Sequence, residues 1–474
     1  MKLQHLLLLL CMPVFYINAQ NKPLLYDFTA IPQSLLLNPA AGVDNRWYAG
    51  VPLLSGVQAG AGSSGFSVYD LFADDEVSFN DKVGKLVRRM SPGDVVSTSQ
   101  QAELFNIGFK GDWTGRDYYS FGMYQETDAF VYWPGDLAVL AYDGNKGHIG
   151  EKFDLGHLDV TAEMLTVLHF GWRRKVSDRL KVGVRAKWYS GMVNIHASGN
   201  SGYFVTEYDP VNFYVHRILA DVALRTSGYQ SLEDIPRDGN EGKEVWKELR
   251  SRMLFSGNFG LGMDLGLTYH PAKQWTVTAS LLDFGFVRHT EDVKNYTLKG
   301  SYDLEGVELF LNPAEGENPE EYWEDLKDKI EDQLPYEKNA RKYTTRRAYK
   351  MYGAVNYAFG IRRNKKRYYL TDYENYINNV GAQLFVVNRP KGPLASITAF
   401  YSRKLTGFLE TKVTYTADRY SQTNIGGGLA ARMGNVQFYL LADDIPGLLN
   451  LAKANYGAVQ FGFNYIFPHS GGPF

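Results

Sequence analysis

Seven histidines between residues 148 and 289 are the first place to look for chemistry: His148, His157, His169, His196, His216, His270 and His289. They are scattered, and no two have the spacing by which one helix face presents a pair of metal ligands. Gly426–Gly427–Gly428 has the composition of a phosphate loop. It lies within a strand pattern rather than between a strand and a helix, so close sheet packing accounts for it. A Ser–His–Asp set could be assembled only from distant strands. The expectation is therefore no catalytic residue, no metal, no cofactor and no enzymatic activity. The charges at Arg185, Lys187, Asp264, Lys350, Glu410 and Lys412 are more telling. Each falls on the polar side of an alternating segment. If those segments are barrel strands, both signs of charge face inward, which predicts a lumen crossed by ion pairs.

The elements that would carry these residues are long strands, and the hairpin over Phe255–Leu281 displays the pattern best. Phe255, Gly257, Phe259, Leu261, Met263, Leu265, Leu267 and Tyr269 occupy alternate positions, with small or polar residues such as Asp264 and Gly266 between them. Successive side chains of a strand point to opposite faces, so one face is apolar. After Pro271–Ala272–Lys273 the pattern resumes at Trp275, Val277, Ala279 and Leu281. Each arm suffices for the roughly 9–11 tilted residues that cross a bilayer. Tyr269 and Trp275 flank the turn, where a membrane boundary would place aromatic rings. On this pattern Leu265 faces lipid, and a serine at Gly266, facing the lumen, should be far milder than an arginine at Leu265.

Alternation continues along the chain at about 46–62, 102–113, 116–126, 165–175, 179–196, 255–269, 275–287, 346–360, 376–388, 394–403, 408–417, 423–432, 436–443 and 456–467, fourteen candidate strands in all. If the first strand leaves the periplasm, the short connections fall in periplasmic slots, and the long ones (63–101, 127–164, 197–254 and 288–345) all fall in outward slots. The expected fold is an all-β transmembrane antiparallel barrel of about fourteen strands, with small helical insertions in long extracellular loops. Helices are expected near Asp81–Met90, near Glu241–Arg252 and, capped by Asn318 with Pro319 in its first turn, through Leu334. The basic run Arg362, Arg363, Lys365, Lys366 and Arg367 would then be a solvated periplasmic turn. A formal net charge of −2 gives no pull toward nucleic acid.

Lys2 and His5 precede the apolar run Leu6–Ile17, and Ile17–Asn18–Ala19 closes it, which reads as a signal peptide spanning residues 1–19. Cys11 lies within it, so no disulfide is expected in the exported protein. Residues 20–45 carry Leu24, Leu25, Ile31, Leu35, Leu36 and Leu37 before the turn Asn38–Pro39–Ala40. That composition suits a hatch folded inside the barrel; a surface turn leading into the first strand is the plainer reading. The barrel would occupy 46–467 and a periplasmic tail 468–474.

The Asn38–Pro39–Ala40 turn, the stretch Ser280–Leu281–Leu282–Asp283–Phe284–Gly285–Phe286 and the closing strand together resemble a family of uncharacterised outer-membrane barrels from Bacteroidetes. More distantly they resemble the FadL-type channels and the PorV and PorP/SprF barrels of type IX secretion. Gly462, Tyr465 and Phe467 are similar to the terminal signal read by the barrel-assembly machinery. The resemblance implies residence in the cell outer membrane, contact with its lipid and with that machinery, and a channel for a small or hydrophobic solute. It equally allows a structural or assembly subunit holding cell-envelope partners. A soluble β-rich exported protein is the third reading.

Overall fold

A computed structural model describes residues 22–43, 45–111, 116–210, 213–236, 241–305, 336–361, 376–420 and 424–467. The expected signal peptide, the loop helix through Leu334, the basic run after Ile361 and the terminal tail lie outside these residues. Fourteen wall strands follow one another: β1 (Trp47–Gly50, resuming as Val57–Ser63), β2 (Val95–Lys110), β3 (Asp117–Tyr132), β4 (Val160–Lys175), β5 (Leu180–Ala197), β6 (Phe259–Ala272), β7 (Trp275–His289), β8 (Tyr343–Arg346, resuming as Lys350–Ile361), β9 (Tyr376–Val387), β10 (Leu394–Lys404), β11 (Leu409–Ala417), β12 (Asn424–Met433), β13 (Val436–Asp443) and β14 (Tyr456–Phe467). Each pairs antiparallel with its neighbours in sequence. The ring closes where Trp47 pairs with Phe467 and Val57 with Phe461, giving a closed fourteen-stranded antiparallel barrel.

The two faces of the wall differ as alternation requires. Phe259, Leu261, Met263, Leu265, Leu267 and Tyr269 of β6 are exposed on the outside, whereas Asp264 and Thr268 are buried inside. Aromatic rings gather outside the end that carries the short turns. Trp47 stacks on Phe467 with ring centroids 3.6 Å apart. Trp275 lies 5.0 Å from Tyr357, and Phe109 lies 5.8 Å from Tyr119. No helix among the described residues is long and apolar enough to cross a membrane.

The structure departs from the sequence expectation in several places, two of them in the outline of the wall. β6 begins at Phe259 rather than Phe255, because Phe255 (φ 61°) and Gly257 (φ 84°) turn the chain out of extended geometry. The long connections also hold more sheet than expected. Ser201–Asp209 pairs with Phe213–Ser227, which pairs in turn with Val293–Glu305. Arg225, Thr226 and Ser227 join this hairpin to the end of β5, so the wall continues upward on one side. The helices Phe79–Arg89 and Glu241–Ser251 lie where expected. Ser78 caps the first, its hydroxyl accepting from the Asp81 amide.

The filled lumen as candidate functional site

Residues 22–43 run through the inside of the barrel. Leu35, Leu37 and Ala40 are buried, as are Leu36 and Asn38, and Pro39 lies among them. Inward side chains of the wall satisfy the backbone carbonyls of this segment. The Arg185 guanidinium donates to Leu36 O at 3.0 Å and also to Leu35 O. Lys412 Nζ donates to Pro23 O at 3.1 Å and to Tyr26 O at 2.5 Å. Ser280 Oγ and Thr268 Oγ1 donate to Leu37 O and Ala40 O, and Arg173 holds Ala41 O and Val43 O. A carbonyl taken from water needs such a donor, so these contacts make burial of an irregular segment tolerable. Asn38 supports its own turn, its Oδ1 accepting from the Ala40 amide at 2.9 Å.

Two wall glycines make room for that turn. A Cβ on Gly183 would lie 2.3 Å from the Pro39 carbonyl carbon, and one on Gly266 2.3 Å from Asn38 Oδ1 and 2.7 Å from the Ala40 amide. A serine at Gly266 is thus more crowded than alternation suggests: the residue faces the lumen as expected, but the lumen at that point is occupied by backbone.

Of the six inward charges, Arg185, Lys187, Asp264 and Lys350 belong to one network. Arg185 Nη1 and Lys187 Nζ lie 2.9 and 3.0 Å from Asp264 Oδ2. Lys187 also meets Asp283 Oδ1 at 2.6 Å. Lys350 reaches Glu126, Asp128 and Asp283 at 3.1, 3.4 and 3.6 Å. Arg347 pairs with Glu126 at 3.1 Å and with Glu163. The network spans the inner wall from β3 to β8. Lys412 stands apart, bonded to the inner segment, and Glu410 faces the mouth of the cavity described next.

Sequence reasoning missed Glu126, Asp128, Glu163, Asp283 and Arg347. Asp128 and Glu163 lie beyond the expected bounds 116–126 and 165–175, and Glu126 is the last residue of the first of these. Asp283 has the parity of the outward residues Val277, Ala279 and Leu281. A β-bulge turns it inward: Leu282 and Asp283 together oppose Asp264 alone, and Asp283 takes φ 60°. Its amide donates to Asp264 Oδ1 at 2.8 Å. The signal was present in the change of apolar phase from Leu281 to Phe284 and Phe286. Arg347 occupies the break in β8, where no alternation guides a reading.

The inner segment brings ionisable groups of its own. Asp27 Oδ2 accepts from Thr278 Oγ1 at 2.7 Å and from Asn356 Nδ2 at 3.1 Å, and burial pushes its carboxyl above the usual range. Lys22 donates to Gln101 Oε1 at 2.6 Å, and burial brings its ammonium down to about 8. Gln33 ties the segment to the seam where the barrel closes, donating to Ser55 O at 2.9 Å and to Asn464 Oδ1 at 2.8 Å.

Beneath this segment, at the end with the short turns, lies a cavity of about 660 Å³. Asp27, Lys110, Arg173, Lys181, His270 and Arg432 are among the residues lining it, a polar vestibule rich in cations. Among the described residues no group of His, Cys, Asp and Glu could hold a metal ion.

Fold and interior together define a closed fourteen-stranded barrel whose lumen is occupied by its own amino-terminal segment and a buried ion-pair network. Residues 39–443 match the family described as "Family of unknown function (DUF5723)", and the chain belongs to that family. No curated protein matches the sequence. Among solved structures the chain is similar to a FadL homologue of Pseudomonas aeruginosa, with 10% identity, a TM-score of 0.42 and coverage of 92% of this chain and 94% of that one. It is also similar to the Ralstonia pickettii toluene transporter TbuX, with 9% identity, a TM-score of 0.39 and coverage of 92% of each chain. A third is the translocator domain of the autotransporter NalP from Neisseria meningitidis, with 7% identity, a TM-score of 0.33 and coverage of 90% and 91%.

Proposed function

We propose that this protein is an outer-membrane channel for small, largely apolar solutes, held shut by residues 22–43 acting as a hatch. The observation that carries this reading is the division of the lumen. One arc, from β3 to β8, is tied up in ion pairs. Beside it, Tyr352, Phe385, Val387, Tyr439 and Leu441 of β8, β9 and β13 form an apolar patch covered by Leu24, Leu25, Tyr26 and Phe28 of the hatch. A water-filled porin has a polar lumen; an apolar patch covered by apolar side chains suits a solute that replaces those side chains when the hatch moves. The exposed apolar outer face and its aromatic belt support placement in a membrane, with the short turns toward the periplasm.

A second reading is favoured by Gly183 and Gly266, which fit the hatch backbone so closely that it resembles a fixed core rather than a gate. On that reading the barrel is a structural or assembly subunit. Planar-bilayer recordings decide between them. The full protein should conduct little, and deletion of residues 24–37 should raise its conductance. Proteoliposomes carrying the deletion should then take up a small aromatic tracer faster than a charged one of similar size. If the deleted barrel folds yet still conducts nothing, the channel reading gives way, and co-purification of cell-envelope partners becomes the informative measurement.

A further inference from the structure

Two loop helices lie against the outside of the wall instead of above it. Leu249 of the helix Glu241–Ser251 is buried with Met192 and Val193, and Val245 packs on the same cluster. Met192 faces outward, since its sulfur accepts from Thr166 Oγ1, and Thr166 pairs with the outward Ser190. Ser190 in turn bonds to Ser256 Oγ and Arg252 O just beyond the helix. On the other side of the barrel, Ile445 of the helix Ile445–Leu449 lies over Gly427, an outward position of β12, whose added Cβ would be 2.9 Å from Ile445 Cδ1.

Height along the wall locates both. Ser190 is ten residues from the start of β5 at Leu180, about 25 Å along the axis for a rise of about 3.3 Å and a tilt of about 40°. That is the upper edge of the roughly 25 Å apolar band of such barrels. Gly427 is six residues from Met433, at the opposite end of β12, so the second helix lies about 15 Å up, within the band. There β13 has only eight residues, fewer than the roughly 9–11 needed to span. Both elements present apolar side chains away from the protein. Leu449 is 84% exposed and Phe255 82%, with Leu451, Trp246 and Leu254 also exposed. Within the second helix Leu448 N donates to Asp444 O, Asn450 N to Gly447 O and Gly447 N to Asp444 Oδ1, which lowers the cost of placing these amides in lipid.

We propose that these two loop elements are part of the lipid-facing surface. Ile445, Leu449 and Leu451 insert among outer-leaflet acyl chains where β13 falls short, and Trp246, Leu254 and Phe255 rest at the leaflet boundary. The proposal depends on the membrane placement above, and its occupant is lipid because the apolar surface is continuous with the outer band of the wall.

The test uses single cysteines in a Cys11→Ser background, labelled with an environment-sensitive fluorophore, in phosphatidylcholine vesicles containing brominated acyl chains. Leu449→Cys should be quenched and blue-shifted like Leu265→Cys in mid-wall and Phe255→Cys to a smaller but clear extent, whereas Lys146→Cys in an exposed loop should not. Labels at 449 and 255 that behave like the one at 146, while 265 is quenched, overturn the proposal and leave the barrel in its membrane. An unquenched label at 265 removes the membrane placement itself, and the proposal with it.

Discussion

At the scale of single residues, the lumen is governed by the cost of burying charge. Asp264 is completely buried and serves two cations, Arg185 and Lys187. Removing one member of a buried pair leaves the other uncompensated, which typically costs about 3–5 kcal/mol. Asp264→Ala should therefore lower stability by about that amount in a urea titration read by the heat-modifiable gel shift of the folded barrel. Glu410→Gln, at the mouth of the vestibule, should change it by no more than about 0.5 kcal/mol. Equal effects would mean that the network is not the main polar support of the lumen. Gly183 poses a steric problem rather than an electrostatic one. Gly183→Val drives a side chain into the Pro39 backbone, and the expected outcome is a barrel that still folds but whose hatch becomes accessible to protease.

At the scale of elements, the β6–β7 hairpin shows how one irregularity serves the interior. β6 alternates without interruption from Phe259 to His270, and the bulge at Leu282–Asp283 then shifts the phase of β7. The shift keeps Phe284 and Phe286 outside while adding a second carboxylate inside. Leu265→Arg places a charge on the outer face near mid-wall and should cost on the order of 2–4 kcal/mol in a lipid refolding assay. The same change measured in detergent-free buffer on a soluble fold would be nearly neutral, so the contrast tests the environment of that face. Gly266→Ser, one residue on, should also be costly, because its Cβ meets Asn38 and Ala40.

At the scale of the whole molecule, the asymmetry between the two barrel ends is the feature with consequences. Turns at one end are as short as two residues, between Ala272 and Trp275 and between Met433 and Val436, while the other end carries helices and an added sheet. If the long loops face outward, a cysteine at Lys146 should react with an impermeant thiol reagent on intact cells and one at Ser177 only after the outer membrane is opened. The reverse labelling would invert the barrel and turn the cation-rich vestibule toward the cell exterior.

Sequence alone determined the wall. A strand's period of two is local, so the number of strands, their order and the outward placement of residues such as Leu265 follow from reading neighbours. Strand ends were less legible in β2, β3 and β4, which continue above the apolar band, where outward residues such as Thr98 and Thr127 no longer need to be apolar. The same local rule put Arg185, Lys187, Asp264 and Lys350 inside, and composition marked Leu35 to Ala40 as a segment needing burial. Which charges meet was decided only by tertiary structure. Asp264 and Arg185, 79 residues apart in sequence, are set opposite each other by the pairing of β5 with β6, and Lys350 and Glu126, 224 apart, meet because the wall curves β8 back toward β3. Nor could alternation foresee that Gly183 and Gly266 would face a proline turn. The fit of a backbone against a glycine depends on two distant segments sharing one space, which no periodicity records.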